Sequence, residues 1–115
     1  MTRGELWWLD YGIPFGSEPG YRRPVIILQN DFFNSSNMNT TIVIPLSTNL
    51  ILADVPGNIF LEKRESKLEK DSVILLSQTG VVDKQRLVEK ITKINKSVME
   101  RIDNNIIFIL GIKMV

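Results

Sequence analysis

The chain has 115 residues, of which 43% are hydrophobic and 23% are charged, and its formal net charge is +1. This composition predicts one globular domain over residues 1–115 and excludes a disordered chain, while the near-neutral net charge gives no overall indication of nucleic-acid binding. The sequence contains no cysteine and no histidine. Disulfides, thiolate nucleophiles and imidazole catalysis are therefore excluded, and acid–base chemistry would use carboxylates, lysine, tyrosine or hydroxyls.

Neither a secretion signal nor a membrane span is predicted. The first residues, MTRGELWW, lack the apolar core of a signal peptide because charges and a glycine interrupt them. No apolar run approaches the roughly 20 residues that a membrane helix needs. Together with the lack of cysteine, these features lead us to expect a cytoplasmic protein without membrane contact.

The first half of the chain predicts three strands. They are the stretches rich in aromatic or β-branched residues at 4–11, 24–28 and 40–46, of which the second is apolar throughout and is expected to be buried on both faces. Trp7 and Trp8 point to opposite faces of the first strand, so one can join the core while the other covers a loop or a partner; packing of both within the chain is an equal alternative. Pro45 restricts the third strand to a sheet edge or a bulge. Residues 12–23 and 30–39 predict loops, the second with one helical turn.

The second half predicts shorter strands and one long helix. The strands are expected at residues 58–61, within 72–82 and at 91–94. The mixed-sign run at 62–71 predicts a solvated turn or a short helix, and Asp83 can cap a short helix over 84–90. Ser97-Val98-Met99-Glu100 fits a capping box for a helix that ends at Gly111, and the apolar residues at 98, 102, 106 and 109–110 repeat at a spacing near 3.6. These elements predict a mainly β (α+β) domain, built as a small, strongly curved sheet or partly open barrel with a C-terminal helix packed on it.

Polar residues at strand ends and in loops are the candidates for a functional site. They are Glu18 and Arg23 in the first loop, Ser47 and Thr48 after the proline-bearing strand, Gln78 within an apolar stretch, and Asp83, Lys84 and Arg86 at the predicted helix start. Loops held by a rigid sheet often carry function. Structural roles are the alternative: an exposed ion pair, a hydroxyl turn or a satisfied bulge. The sequence has no metal motif, P-loop, dinucleotide fingerprint or nucleophile elbow.

Four segments together resemble the MazF/PemK family of toxin endoribonucleases. The opening similarity is carried by Arg3-Gly4-Glu5, Gly16-Ser17-Glu18 and Arg23-Pro24. The segment TTIVIPLST resembles the family's Val-Pro-x-Thr stretch, and DSVILLSQTGVVDKQRL resembles its stretch that ends in Asp-Lys-x-Arg-Leu. In this order and at compatible spacing, the similarity covers residues 3–112. It implies a small SH3-like domain of the CcdB/PemK type.

The resemblance implies a site and a reaction. Position by position, it places the family's catalytic arginine at Arg23, its threonine at Ser47 next to Thr48, its loop glutamate at Glu18 and its glutamine at Gln78. The chain departs from the family pattern at Ser47, which keeps the hydroxyl of threonine, and at Ser77, where an acid is usual. The implied reaction uses no metal or cofactor: the 2′-hydroxyl of RNA attacks the adjacent phosphate and leaves 2′,3′-cyclic phosphate and 5′-hydroxyl ends. Arg23 would stabilise the phosphate charge, Ser47 or Thr48 would donate a hydrogen bond, and Glu18 is the available base.

The implied substrate is single-stranded RNA, whose splayed bases expose their edges. Arg22 is expected on a neighbouring phosphate, and Gln78, Lys84 and Arg86 are further substrate-binding candidates. Loop aromatics that could stack on bases are Phe15, Tyr21, Phe32 and Phe33, although local packing also explains each of them singly. The resemblance further implies a homodimer and a cognate antitoxin protein whose flexible tail covers the RNA groove.

Three other functions stay open on this fold. A non-enzymatic toxin of the gyrase-poison kind would depend on the end of the C-terminal helix, and a small-barrel binding module would have no activity. Ser77 leaves open a weakened or retargeted nuclease. The nuclease requires Arg23 and Ser47 to converge on one phosphate-sized site, whereas the gyrase poison and the binding module do not.

Overall fold

The computed structural model describes residues 1–13, 16–17 and 21–113. Within them the chain forms seven strands: β1 (Glu5–Asp10), β2 (Arg22–Ile27), β3 (Thr40–Ser47), β4 (Ile59–Leu61), β5 (Ser72–Ile74), β6 (Gly80–Asp83) and β7 (Leu87–Lys93). The helices are α1 (Asp31–Asn34), α2 (Lys63–Ser66) and α3 (Lys96–Leu110), and single 3₁₀ turns occupy Leu50–Asp54, Leu76–Gln78 and Lys84–Arg86. None of these helices is long and apolar enough to cross a membrane.

The strands form one antiparallel sheet in the order β4-β5-β3-β2-β1-β7. The long strand β3 pairs with two different strands along one of its edges. Strand β6 pairs with Thr40–Val43, and β5 pairs with Leu46 and Ser47. Within the described residues the outermost strands of this path, β4 and β7, do not pair with each other, so the sheet stays open. The predicted curved sheet with a C-terminal helix is confirmed.

Both faces of the sheet are covered. The larger core lies between the sheet and α3 and includes Ile26, Ile44 and Ile102, each fully buried. A second cluster on the other face includes Val25 and Val43. Because the side chains of neighbouring residues in a strand point to opposite faces, adjacent residues of β2 belong to different clusters. This confirms that the apolar run after Pro24 is buried on both faces.

Pro45 lies inside the sheet, and the expectation of an edge or a bulge was wrong. Pro45 is opposite Val25 of β2, and its carbonyl accepts the backbone N–H of Leu75 at 2.9 Å on the other side. A backbone N–H at position 45 would point to that same side. There the pairing with β6 ends at Val43 and the pairing with β5 starts at Leu46, so the missing donor falls in the gap between two ladders.

Local caps differ from the sequence prediction in two places. Asp83 does cap a turn, since its carboxylate accepts the N–H of Gln85 at 2.8 Å, but the turn lasts only over Lys84–Arg86 and β7 follows at once. The predicted helix over 84–90 is therefore wrong. Helix α3 is capped by Asn95, whose side chain accepts the N–H of Val98 at 2.9 Å. The capping box at Ser97 is wrong by two residues.

Candidate active site

Strand pairing places Arg23 and Ser47 at the same end of the sheet. Strand β2 begins at Arg22, so both arginines lie on a strand and not in the preceding loop. Strands β2 and β3 pair antiparallel with Val25 opposite Pro45. Continuing this register by two residues sets Arg23 opposite Ser47, and the alternation of side chains puts both on one face.

A groove of about 760 Å³ lies at this end of the sheet. The starts and ends of strands supply one group of lining residues: Trp8, Tyr21, Arg22, Arg23, Pro24, Leu46, Ser47 and Thr48. A second group comes from the segment after α2 and its surroundings: Lys67, Leu68, Glu69, Lys70, Ser72 and Ile91. The structure thus brings Arg22, Arg23, Ser47 and Thr48 together in one concave site, with Tyr21 beside them.

The guanidinium of Arg23 carries an unused buried donor. Its Nε is buried and has no hydrogen-bond partner among the residues that the structure describes. Burial raises the pKa of Tyr11 to about 12, and the positive charge of Arg23 acts in the opposite direction on this phenol, so the two groups are close. A buried N–H without an acceptor is costly unless a ligand or water provides one. The guanidinium therefore has a donor that no described residue uses.

Ser47 can act as a hydrogen-bond donor toward the groove. Its Oγ accepts the backbone N–H of Asn49 at 3.1 Å, which closes a hydroxyl turn at the end of β3. An accepting hydroxyl still has its own proton to donate. The hydroxyl turn and a ligand-binding role are therefore compatible. Thr48, the next residue, is exposed and adds a second hydroxyl at the groove.

Three predicted substrate-binding residues lie outside this groove. Gln78 is exposed in a 3₁₀ turn, so its assignment to the interior of an apolar strand was wrong: that stretch is split into β5 and β6. The ammonium of Lys84 donates to the backbone carbonyl of Asn34 at 3.0 Å and holds the end of α1. Arg86 donates through Nη1 to the carbonyl of Asp10 at 3.1 Å. Their contacts with RNA stay predictions.

Of the aromatic candidates that the structure describes, Tyr21 lines the groove and Phe32 and Phe33 do not. Phe32 and Phe33 lie on α1 with their rings edge-to-face at 5.2 Å; both are exposed, and neither lines the groove. Tyr21 is 67% exposed at the groove itself. Glu18 and Phe15 fall outside the described residues. Among the described residues, no group of three His, Cys, Asp or Glu side chains could hold a metal ion.

The segment Lys67–Lys70 is a part of the groove that sequence reasoning missed. The mixed-sign run was interpreted as a solvated turn or short helix; the short helix exists as α2, but the residues after it face the site. The available signal was Leu68, an apolar residue inside a charged run, which packs against the main core. An anchored loop differs from a solvated one because its backbone is held in place.

The groove concentrates positive charge. Among the residues that the structure describes, its lining contains four cationic side chains, at positions 22, 23, 67 and 70, and one carboxylate at 69, for a net charge of +3. The whole sequence has fourteen basic and thirteen acidic side chains, a net charge of +1, so the described part of the groove is more basic than the protein as a whole. A basic cleft attracts polyanions.

Comparison with known proteins identifies the family. A family model described as PemK-like, MazF-like toxin of type II toxin-antitoxin system matches residues 2–110. Endoribonuclease MazF2 of Mycobacterium bovis and Endoribonuclease MazF6 of Mycobacterium tuberculosis are each 34% identical over 106 residues, which is 92% of this chain and 93% of the relative. The chain therefore belongs to the PemK-like, MazF-like toxin family of type II toxin–antitoxin systems.

Solved structures share the fold at lower identity. MazF from Deinococcus radiodurans has a TM-score of 0.80 at 21% identity, covering 97% of both chains. An endoribonuclease in complex with its cognate antitoxin, from a mycobacterial species, has a TM-score of 0.79 at 16% identity, covering 100% of this chain and 99% of that one. The open sheet with a C-terminal helix is thus a fold that these toxins also have.

Proposed function

We propose that this chain is the toxin of a type II toxin–antitoxin system and acts as an endoribonuclease on single-stranded RNA, with mRNA as its target. The observation that carries the proposal is the pair Arg23 and Ser47 in one basic groove. Its family and two relatives named as endoribonucleases support the same activity.

The proposed reaction is an internal transfer within the RNA. The 2′-oxygen loses its proton and attacks the adjacent phosphorus, the bond from phosphorus to the 5′-oxygen breaks, and that oxygen takes up a proton. The products are a 2′,3′-cyclic phosphate and a 5′-hydroxyl, and no water is consumed. The reaction needs a base, an acid and donors for the charge that builds up on the phosphoryl oxygens.

Arg23 is proposed as the principal donor to this charge. Its guanidinium is planar, stays protonated and can bind two phosphoryl oxygens at once. Its Nε is buried, so the donors available to such an acceptor are those at the end of the side chain, which is partly exposed and lines the groove. Loss of one donor of this kind typically costs about 3–4 kcal/mol, or about 10²–10³ in rate. Because a guanidinium does not readily release a proton, Arg23 is proposed as a stabiliser rather than the general acid.

Neighbouring groups complete the proposed site. The Ser47 hydroxyl donates to a second phosphoryl oxygen while its lone pair stays on the N–H of Asn49. Arg22 is exposed at the groove and binds an adjacent phosphate, and Tyr21 offers an exposed ring on which a base can stack.

Two carboxylates are candidates for the general base. Glu18 is the one that the family resemblance implies. Glu69 is the carboxylate found in the described groove lining. A carboxylate base gives an acid limb to the pH profile of kcat/KM, because activity falls as the base is protonated. We expect Glu→Gln replacement of the true base to abolish this limb, and replacement of the other carboxylate to leave it in place.

The proposal includes a homodimer and inhibition by an antitoxin. Near the end of α3, the side chains of Phe108 and Leu110 are 67% and 63% exposed. They provide an apolar surface suited to self-association. The structural neighbours include toxin–antitoxin complexes. An acidic, flexible antitoxin segment would fit a groove with a net charge of +3. Light scattering of the free chain tests the dimer, and RNA cleavage in the presence of the cognate antitoxin tests inhibition.

The deciding experiment is cleavage of a long, largely unstructured RNA in EDTA, with the new ends mapped by primer extension. We expect cuts at one short motif, a loss of about 10²–10³ in rate for Arg23→Ala and incomplete rescue by Arg23→Lys, which keeps the charge but not the planar fork. Ser47→Thr should retain activity and Ser47→Ala should lose it, with thermal melting confirming that each variant folds.

Two results would change the proposal. Absence of cleavage by folded wild type, free of antitoxin, on several RNAs would refute the nuclease and favour a gyrase poison or a binding module. Cleavage that survives Arg23→Ala would keep the enzyme and remove Arg23 from the mechanism.

A further inference from the structure

The loop Lys67–Lys70 precedes β5, the strand that pairs with the end of β3, and it forms one wall of the groove. All four of its residues line the same cavity as Arg23 and Ser47. The loop contributes two ammonium groups and one carboxylate, so half of the cationic side chains in the groove come from it.

The backbone of the wall is held in place by contacts that leave its lysine side chains available. Ser66 is fully buried, and its Oγ accepts the N–H of Leu68 at 3.1 Å. Asp71 accepts the backbone N–H of Lys63 at 2.9 Å, which ties the two ends of the segment together. Leu68 packs on the main core. A fixed backbone positions side chains with a smaller entropy loss on binding.

The charges of the wall are unpaired, unlike those just outside it. Arg64, on the part of α2 that does not line the groove, forms an ion pair with Glu62 at 2.7 Å. Within the described chain, neither Lys67 nor Lys70 has a carboxylate partner. Among the residues that the structure describes, the Lys67 ammonium donates to the carbonyl of Arg64 at 3.0 Å and to no other acceptor.

Two non-glycine residues with positive φ line the same groove. Over residues 1–13, 16–17 and 21–113, the two non-glycine residues with positive φ are Tyr21 at 58° and Lys67 at 65°. Both line the groove. At Lys67 the left-handed conformation is that of the C-cap that ends α2, so it fixes where the chain leaves the helix and enters the loop.

We propose that Lys67 and Lys70 bind backbone phosphates of single-stranded RNA on either side of the phosphate held by Arg23. The inference rests on the proposed function for its substrate, and it adds a second, sequence-independent phosphate-binding wall. Phosphate contacts fix the register and orientation of a strand without reading its bases. The wall would therefore add affinity and orient the strand without reading its sequence.

The expected effect is a change in the salt dependence of binding. For single strands each neutralised phosphate contributes about 0.7 to the slope of log K against log salt. Removing both lysine charges should therefore lower the slope by about 1.4. Between 50 and 200 mM salt, this makes the loss of affinity about 7-fold smaller for the double variant than for wild type.

The test measures binding without cleavage. The probe is a fluorescein-labelled, 2′-O-methylated oligonucleotide of about twenty nucleotides and mixed sequence, which lacks the attacking hydroxyl. Wild type is compared with Lys67→Gln, Lys70→Gln and their combination by fluorescence anisotropy at several salt concentrations. Lys63→Gln is the matched control, an exposed lysine of the same segment outside the groove. The double Lys→Arg variant, which keeps both charges, should restore the slope.

The outcomes separate this inference from the proposed function. A double Gln variant with the slope of Lys63→Gln, or a wild type that does not bind the probe, overturns the inference whatever the RNA cleavage assay shows. A slope lowered by about 1.4 and restored by arginine supports it, even if wild type cuts no RNA, in which case the groove binds single strands without being a nuclease.

Discussion

Replacing Glu5 by glutamine should destabilise the protein at neutral pH and have little effect in strong acid. Glu5 is 8% exposed on β1. Its Oε1 accepts the backbone N–H of Thr2 at 2.8 Å and the indole N–H of Trp7 at 3.0 Å, and Lys90 of β7 lies 3.1 Å from Oε2. Burial alone would raise the pKa of this carboxyl, but the hydrogen bonds from these three residues outweigh burial and lower the pKa to about 2.

The size of the effect follows from the change in pKa. A fall from 4.5 to about 2 corresponds to about 3 kcal/mol, at about 1.4 kcal/mol per pKa unit. Because the pKa of Glu5 is lower in the folded state, this stabilisation is complete above about pH 4.5 and is lost as the pH falls toward 2. The pair with Lys90 is a small part of it, since the Lys90 side chain is 49% exposed and such pairs contribute at most about 1 kcal/mol.

The assay is urea unfolding at one fixed protein concentration, from about pH 7 down to about pH 2.5, for wild type, Glu5→Gln and Lys90→Met. We expect Glu5→Gln to lose about 2–3 kcal/mol of unfolding free energy at pH 7 and less than about 1 kcal/mol at the acid end. Lys90→Met should lose less than about 1 kcal/mol throughout. A loss for Glu5→Gln that does not vary with pH would refute the reasoning, since the cost would then come from shape and not from charge.

Two further substitutions test local features of the fold. Asn95→Ala should cost about 1 kcal/mol because the cap of α3 is lost, whereas Ser97→Ala should cost less than about 0.5 kcal/mol; thermal melting compares them, and an equal loss would contradict the assigned cap. Gly57→Ala should cost about 1–3 kcal/mol, since φ is +93° and a Cβ would lie 2.6 Å from Cδ1 of Ile109. Ile109→Ala should relieve this clash, so a Gly57→Ala cost unchanged in that background would disprove the explanation.

Much of the local structure could be predicted from the sequence alone. The apolar β-branched runs predicted the strands around Ile26 and Ile44, and the 3.6-residue spacing of apolar residues predicted α3. These signals are local, because burial repeats every two residues on a strand and every 3.6 on a helix. Gly111 was also predicted correctly as the end of α3, where its φ is +68° and no side chain is favoured.

The errors occur where distant segments decide the outcome. Pro45 is tolerated in the sheet because β5 and β6 leave a gap beside it, which no property of residues 40–47 specifies. Likewise, the stretch after Asp83 becomes strand β7 because β1 pairs with it, although its own sequence also suits a helix. Tertiary pairing overrides a weak local preference.

For the site, the sequence by itself determined which chemical groups are available: arginine, hydroxyl and carboxylate side chains, with no histidine or cysteine. It also marked Arg23 and Ser47 through their strand-end segments. Only the tertiary structure decided that the two share a groove, that Gln78 lies outside it and that Lys67 and Lys70 form its other wall. The reason is physical: these groups lie far apart along the chain, and the register of β2 on β3 and the packing of Leu68 on the core bring them together.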